Sequence, residues 1–380
     1  MKRVCVLLLT ALMLIPAAHA APAPFSGQLS AASALLMEKE TGTVLYEKQA
    51  HAQHEPASVT KVMTLLLIWE ALDSGRLDRD ESVTVSANAA GMGGSQVYLK
   101  EGEQFPVWEL VKCVTVASAN DAAVALAEHL AGSEASFAAQ MNQRARELGM
   151  KDTVFVNCTG LPAQGHLTSA YDIALMSRQL ILNHPGVREF TTIWMDSIRD
   201  GAFGLTNTNR LIRFYNGATG LKTGSTSSAG FCISATAERD GMELIAVVLN
   251  SPTGPQRFED AKALLDYGFA GYALVPVYPG VPLAPISVAL GKTAQVQPVL
   301  SRDCRLLVTK GDEGQIESRV TLPDDLEAPV EQNQLLGQME VYVGQELRDT
   351  VPILAAQPVE RLTAGGIFSR LLHRLLMAGA

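Results

Sequence analysis

The sequence predicts an α+β protein: an antiparallel sheet packed with helices, then a small all-β domain and a terminal amphipathic helix. Three observations carry that expectation. Strand signals around residues 34–46 and 220–249 bracket a series of helical patterns. Prolines at 276, 279, 282 and 285 mark a change of character, beyond which short β-branched runs replace helices. Near the C-terminus, apolar residues recur at a spacing of four.

The 380 residues are 47% hydrophobic and 18% charged, which excludes a disordered chain. The formal charge of −9 argues against a nucleic-acid partner. Lys2 and Arg3 precede an apolar run from Val4 to Pro16, and Ala18-His19-Ala20 supplies a small-x-small cleavage pattern. Residues 1–20 therefore read as a signal peptide, cleaved after Ala20. The run is shorter than the roughly 20 apolar residues that span a bilayer.

Within residues 25–272, Ala34–Met37 and Thr43–Tyr46 flank Glu40-Thr41-Gly42 as a β-hairpin. Val62–Leu72 is too long and too rich in Leu for a strand, so it reads as a buried helix. Further helical patterns cover Val107–Val116, Asp121–Leu130, Ser136–Leu148 and Tyr171–Leu182. Phe231–Ala237 and Met242–Leu249 are strands joined at Arg239-Asp240-Gly241, and a helix over Pro255–Phe269 follows. The prolines then stop regular structure. Thr293–Leu300, Leu306–Lys310, Ile316–Leu322 and Met339–Val343 are the strands of an all-β domain over 276–358. In 365–380, Ile367, Phe368, Leu371, Leu372, Leu375 and Leu376 share a helical face opposite Arg370, His373 and Arg374. Such a helix suits an anionic membrane surface.

Cys113, Cys158, Cys232 and Cys304 are widely scattered and read as free, buried thiols. Asn157-Cys158-Thr159 matches a glycosylation acceptor, a match with meaning only in a eukaryotic secretory pathway. His51 and His54 lack a third ligand and read as a solvated loop; no metal or other cofactor is expected.

Three short segments carry chemistry. In Ser58-Val59-Thr60-Lys61, a helical spacing of three puts the Lys61 amine within reach of the Ser58 hydroxyl, which needs a base to become a nucleophile. Burial and a second cation would lower the lysine pKa enough for that task. Ser118-Ala119-Asn120 lies between two buried helices and can turn a hydroxyl and an amide into a cleft. Its copy Ser86-Ala87-Asn88 precedes a glycine-rich loop and reads as a surface turn. Lys222-Thr223-Gly224, followed by Ser225, offers a cation and a hydroxyl on a strand edge for a carboxylate, with Gly224 admitting substrate to the backbone. Each segment alone is commonplace.

In this order the three form the set shared by β-lactamases and penicillin-binding proteins. The chain resembles the low-molecular-weight penicillin-binding proteins, specifically the D-alanyl-D-alanine carboxypeptidases, from about Ser30 to Tyr272 and on into the tail. The resemblance implies a β-lactamase/transpeptidase-like fold and an exported enzyme at the outer face of the bacterial cytoplasmic membrane. It implies removal of the terminal D-alanine from peptidoglycan stem pentapeptides, with β-lactams as acylating inhibitors. Ser58, Lys61 and Ser118 take the catalytic roles, and Asn120, Lys222, Thr223, Gly224 and Ser225 bind substrate. Ala119 stands where other branches use Gly or Asp, and Ser225 where others use His. Arg210 and Arg213 are candidates to supplement carboxylate binding. The rival readings are a β-lactamase-like hydrolase, a D,D-endopeptidase and a non-catalytic wall-binding protein. No Glu-x-x-Leu-Asn segment between the second and third motifs supplies a class A deacylating glutamate.

Overall fold

The computed structural model describes residues 24–377. Its main sheet consists of β1 (Ser33–Glu38), β2 (Val44–Lys48), β3 (Ala218–Thr226), β4 (Gly230–Arg239) and β5 (Met242–Ser251), in the order β2-β1-β5-β4-β3. Every pairing is antiparallel. Alternation explains how both faces are buried. Leu35, Met37, Ile245, Val247 and Leu249 face one core, while Ala34, Leu36, Leu244, Ala246 and Val248 face the other. The expected Asp-Gly turn is present: Asp240 and Gly241 both have positive φ (51° and 76°), as a two-residue hairpin loop requires.

The first core holds α1 (Lys61–Asp73), α2 (Asn120–Ala131), α3 (Glu134–Glu147) and α4 (Ala170–Asn183). Helix α1 runs through its middle and buries residues all round, Leu65, Leu66 and Ile68 included. Each such side chain contributes about 1.5–3 kcal/mol by leaving water. The second core lies under α5 (Gly254–Gly271). All four cysteines in the described residues are free and buried.

Two expectations need correction. The pattern over Val107–Val116 is not one α-helix: it is α-helical over Val107–Lys112, then widens into a π turn over Cys113–Ala117. Of the four prolines, 279, 282 and 285 do lie in irregular chain, but Pro276 sits inside a strand. That strand, β6 (Tyr272–Val277), pairs with β7 (Cys304–Thr309) in a two-stranded ribbon, where one edge makes no ladder bonds and tolerates proline. Helix α5 therefore runs into the β-rich region without a linker. Strands β8 (Ile316–Thr321), β9 (Leu335–Val343) and β10 (Glu346–Ala355) form the larger sheet there, with Pro298–Leu300 at its edge. Residues 1–20, including the expected cleavage site, lie outside the described residues. A last helix, α6 (Ala364–Met377), exposes Phe368, Leu371, Leu372 and Leu376. Among the described residues no helix is long and apolar enough to cross a membrane.

Candidate active site

Ser58 lies on a single 3-10 turn, Ala57–Thr60, that feeds directly into α1. Ala57 adopts a φ of 48°, a strained conformation that turns the chain sharply before the serine. Lys61 is the first residue of α1 and is fully buried. Its Nζ donates to Ser58 Oγ at 3.1 Å, to Asn120 Oδ1 at 2.6 Å and to the Thr159 carbonyl at 2.7 Å. Burial pushes the Lys61 amine down to about 7, against a weaker upward pull from Cys158 and Asp121. No carboxylate forms a salt bridge with it among the described residues. On the next turn residue, Thr60 Oγ1 meets His166 Nε2 at 2.9 Å; His166 Nδ1 accepts from the Val156 N–H, so Nε2 carries the proton.

The second segment is set by the π turn. Ser118 follows it with a φ of 61°, and its Oγ is buried with no partner among the described residues. Asn120 begins α2 and is bonded at both ends of its amide: Oδ1 accepts from Lys61, and Nδ2 donates to the Gly93 carbonyl at 2.7 Å. The neighbouring Asp121 carboxylate accepts the N–H groups of Val97 and Leu99, which pins the loop carrying Gly93. The upstream copy is a helix start and not the surface turn expected: Ser86 caps the short helix Ala87–Ala90, and Ser86 and Asn88 both donate to Glu128.

The third segment occupies β3, the edge strand of the main sheet. A Cβ at Gly224 would lie 2.7 Å from Ser58 N and 2.9 Å from Val59 N. Glycine is required because the strand packs backbone-to-backbone on the turn that carries Ser58, a closer constraint than substrate access. Lys222 is fully buried and donates to the Thr223 carbonyl at 2.9 Å. Burial and the Lys61 and Arg257 charges hold its amine well below the ordinary lysine range. Burial is the leading cause at both amines. Ser225, next along the strand, is exposed.

Several residues at this site escape a reading of the sequence. Arg257 on α5 donates through Nη1 to the carbonyls of Gly224 and Cys232 at 3.1 and 3.2 Å, and burial lowers it to about 10. Arg213, by contrast, lies against Trp194 and Phe214, and Arg210 is exposed at the start of a short helix. Asn157 Oδ1 accepts from Thr159 N and Gly160 N, shaping the turn that presents the Thr159 carbonyl to Lys61. The Asn-x-Thr-Gly pattern was a usable turn signal. Three buried basic side chains, Lys61, Lys222 and Arg257, thus gather beside the Ser58 hydroxyl, which Lys61 contacts directly.

The comparisons with known proteins agree with that chemistry. Residues 17–253 match the family model described as D-alanyl-D-alanine carboxypeptidase. The chain belongs to the D-alanyl-D-alanine carboxypeptidase family. Residues 277–361 match the model for the penicillin-binding protein 5 C-terminal domain. D-alanyl-D-alanine carboxypeptidase DacF of Bacillus subtilis is 38% identical over 95% of each chain. The structure of penicillin binding protein 5 from Haemophilus influenzae is similar at a TM-score of 0.75 and 28% identity, covering 88% of this chain and 99% of that one. Penicillin-Binding Protein D2 from Listeria monocytogenes, in its ampicillin-bound form, is similar at a TM-score of 0.59 and 36% identity over 63% of this chain and 98% of its own. The protein is thus a serine-type D-Ala-D-Ala carboxypeptidase acting on peptidoglycan stem peptides and inhibited by penicillin. Its fold is the transpeptidase-like domain with the all-β C-terminal domain of this family.

Proposed function

We propose that Ser58 is the residue acylated by substrate and by β-lactams, with Lys61 as its base. The observation that carries this reading is the 3.1 Å contact between Lys61 Nζ and Ser58 Oγ, made by an amine that burial brings to about 7. A neutral Lys61 takes the Ser58 proton as Oγ attacks the carbonyl carbon of the penultimate D-alanine. The backbone N–H groups of Ser58 and Ser225 receive the oxyanion, a contribution of about 3 kcal/mol for each donor of this kind. As the intermediate collapses, Ser118 passes a proton to the departing D-alanine nitrogen. The lack of a partner for Ser118 Oγ among the described residues supports this role. Water then hydrolyses the ester on Ser58.

Asn120 fixes Lys61 on this reading, since both ends of its amide are engaged; contact with the substrate amide would require exchanging one of those bonds. Thr223, Gly224 and Ser225 form the strand edge along which substrate lies, and Lys222 and Arg257 supply positive potential for its terminal carboxylate. The leader over residues 1–20, export to the outer face of the cytoplasmic membrane, and surface attachment through the terminal helix complete the proposal. The domain limits 25–272 and 276–358 belong to it as well.

Intact-mass measurement after benzylpenicillin treatment tests the nucleophile. One adduct is expected on the wild type and none on Ser58→Ala. An adduct of equal yield on Ser58→Ala would remove Ser58 from the mechanism.

A further inference from the structure

Between the second and third segments lies a residue that neither motif contains. Thr208 donates its backbone N–H to the Val116 carbonyl at 3.2 Å, two residues before Ser118, and its Oγ1 accepts from Thr223 Oγ1 at 2.6 Å. It is held from both sides. Buried Asn207 donates to the Ile193 carbonyl at 2.7 Å, and buried Asn209 donates to the Gly220 carbonyl of β3 at 2.8 Å. Thr208 itself is half-buried.

The direction of the Thr223–Thr208 bond has a chemical consequence. A hydroxyl carries one proton, and Thr223 has given its own to Thr208. The Thr208 proton stands at the end of the chain, and no group among the described residues takes it. An incoming carboxylate has four lone-pair sites to fill and meets that proton first. A hydroxyl that already accepts a hydrogen bond is also the stronger donor.

We infer that Thr208 is a substrate-binding residue that donates a hydrogen bond to the terminal carboxylate, with Thr223 polarising it from behind. This deepens the proposed carboxylate site and rests on that reading. Lys222 and Arg257 then act at a distance, and the Thr208 hydroxyl makes the direct contact.

The test uses the full chain and two acyl-D-alanyl thioesters. One releases thioglycolate, which bears a carboxylate; the other releases its methyl ester, which does not. Wild type is expected to prefer the acid. Thr208→Val should lower kcat/KM roughly tenfold on the acid thioester and less than twofold on the ester, and Thr208→Ser should restore most of the loss. An equal loss on both thioesters, or no loss on the acid, would overturn the assignment. A wild type indifferent to the carboxylate is a separate result: it would refute the carboxylate site itself. The ester arm and the serine variant guard against mistaking misfolding for lost recognition.

Discussion

A lysine buried without a carboxylate partner is costly to keep charged, and Lys61 shows what the cost accomplishes. Its ordinary value is 10.5, and burial brings it to about 7. The neutral form, which alone can accept a proton, is therefore the minor species below that pH and dominant above it. The acylation rate with benzylpenicillin should climb as pH rises through about 7 and flatten beyond, as stopped-flow measurements would show. Lys61→Arg, whose guanidinium stays protonated, should lose about a hundredfold or more and show no such inflection. A profile flat from pH 5 to 9 in the wild type would remove Lys61 as the base. The sign for stability follows from the same shift. Between about 7 and 10.5 the unfolded chain holds the extra proton, so this group's contribution to folding rises with pH across that window.

At the scale of elements, the site is assembled by two backbones in contact. The turn Ala57–Thr60 and strand β3 meet where Gly224 has no side chain, and Gly160 makes a second close approach, since a Cβ there would lie 1.8 Å from the Ala57 carbonyl oxygen. Backbone atoms cannot step aside as a flexible side chain can. Gly224→Ala should therefore move the strand or the turn by several tenths of an ångström. Penicillin acylation is expected to fall about a hundredfold, because displacements of this order misalign reacting atoms. Gly204→Ala, where nothing lies within 4 Å, is the control and should leave the rate unchanged. Wild-type acylation by Gly224→Ala would show that the contact does not position Ser58. These contacts also mark the limit of what the sequence reveals. Strands β1, β4 and β5 and helices α1 to α5 were legible because alternation and long apolar runs are local patterns. The three motifs were legible because their spacing is local too. The π turn before Ser118 was hidden, as its apolar run reads the same in either helix. So was β10, whose opening Glu346-Leu347-Arg348-Asp349-Thr350 is polar and mostly exposed. Arg257, Asp121 and Thr208 join the site only through tertiary contact, and no spacing announces them.

Across the whole molecule, charge and apolar surface are separated in a way that bears on the proposed membrane attachment. The chain carries a formal −9, yet its last helix includes Arg370 and Arg374 and no acidic residue. Helix α6 also leaves Phe368 and Leu376 about 70% exposed, more than a helix docked on its own domain would. An anionic bilayer therefore attracts the helix and repels the body. Each arginine near the surface is worth about 1 kcal/mol, and the apolar face adds a term that salt does not screen. At physiological salt the Debye length is about 8 Å, so the helix feels the membrane while most of the body does not. At about 0.01 M it reaches roughly 30 Å, and the acidic body is then felt. Flotation with phosphatidylglycerol-rich vesicles should therefore capture the full chain at 0.15 M salt and not a chain ending at residue 363. On lowering salt, an isolated 364–380 peptide should bind several-fold more tightly, while the full chain should gain little or lose affinity. Equal capture with and without the helix would refute the attachment. Parallel gains for peptide and full chain would show that the acidic body stays out of range and that the helix alone sets the affinity.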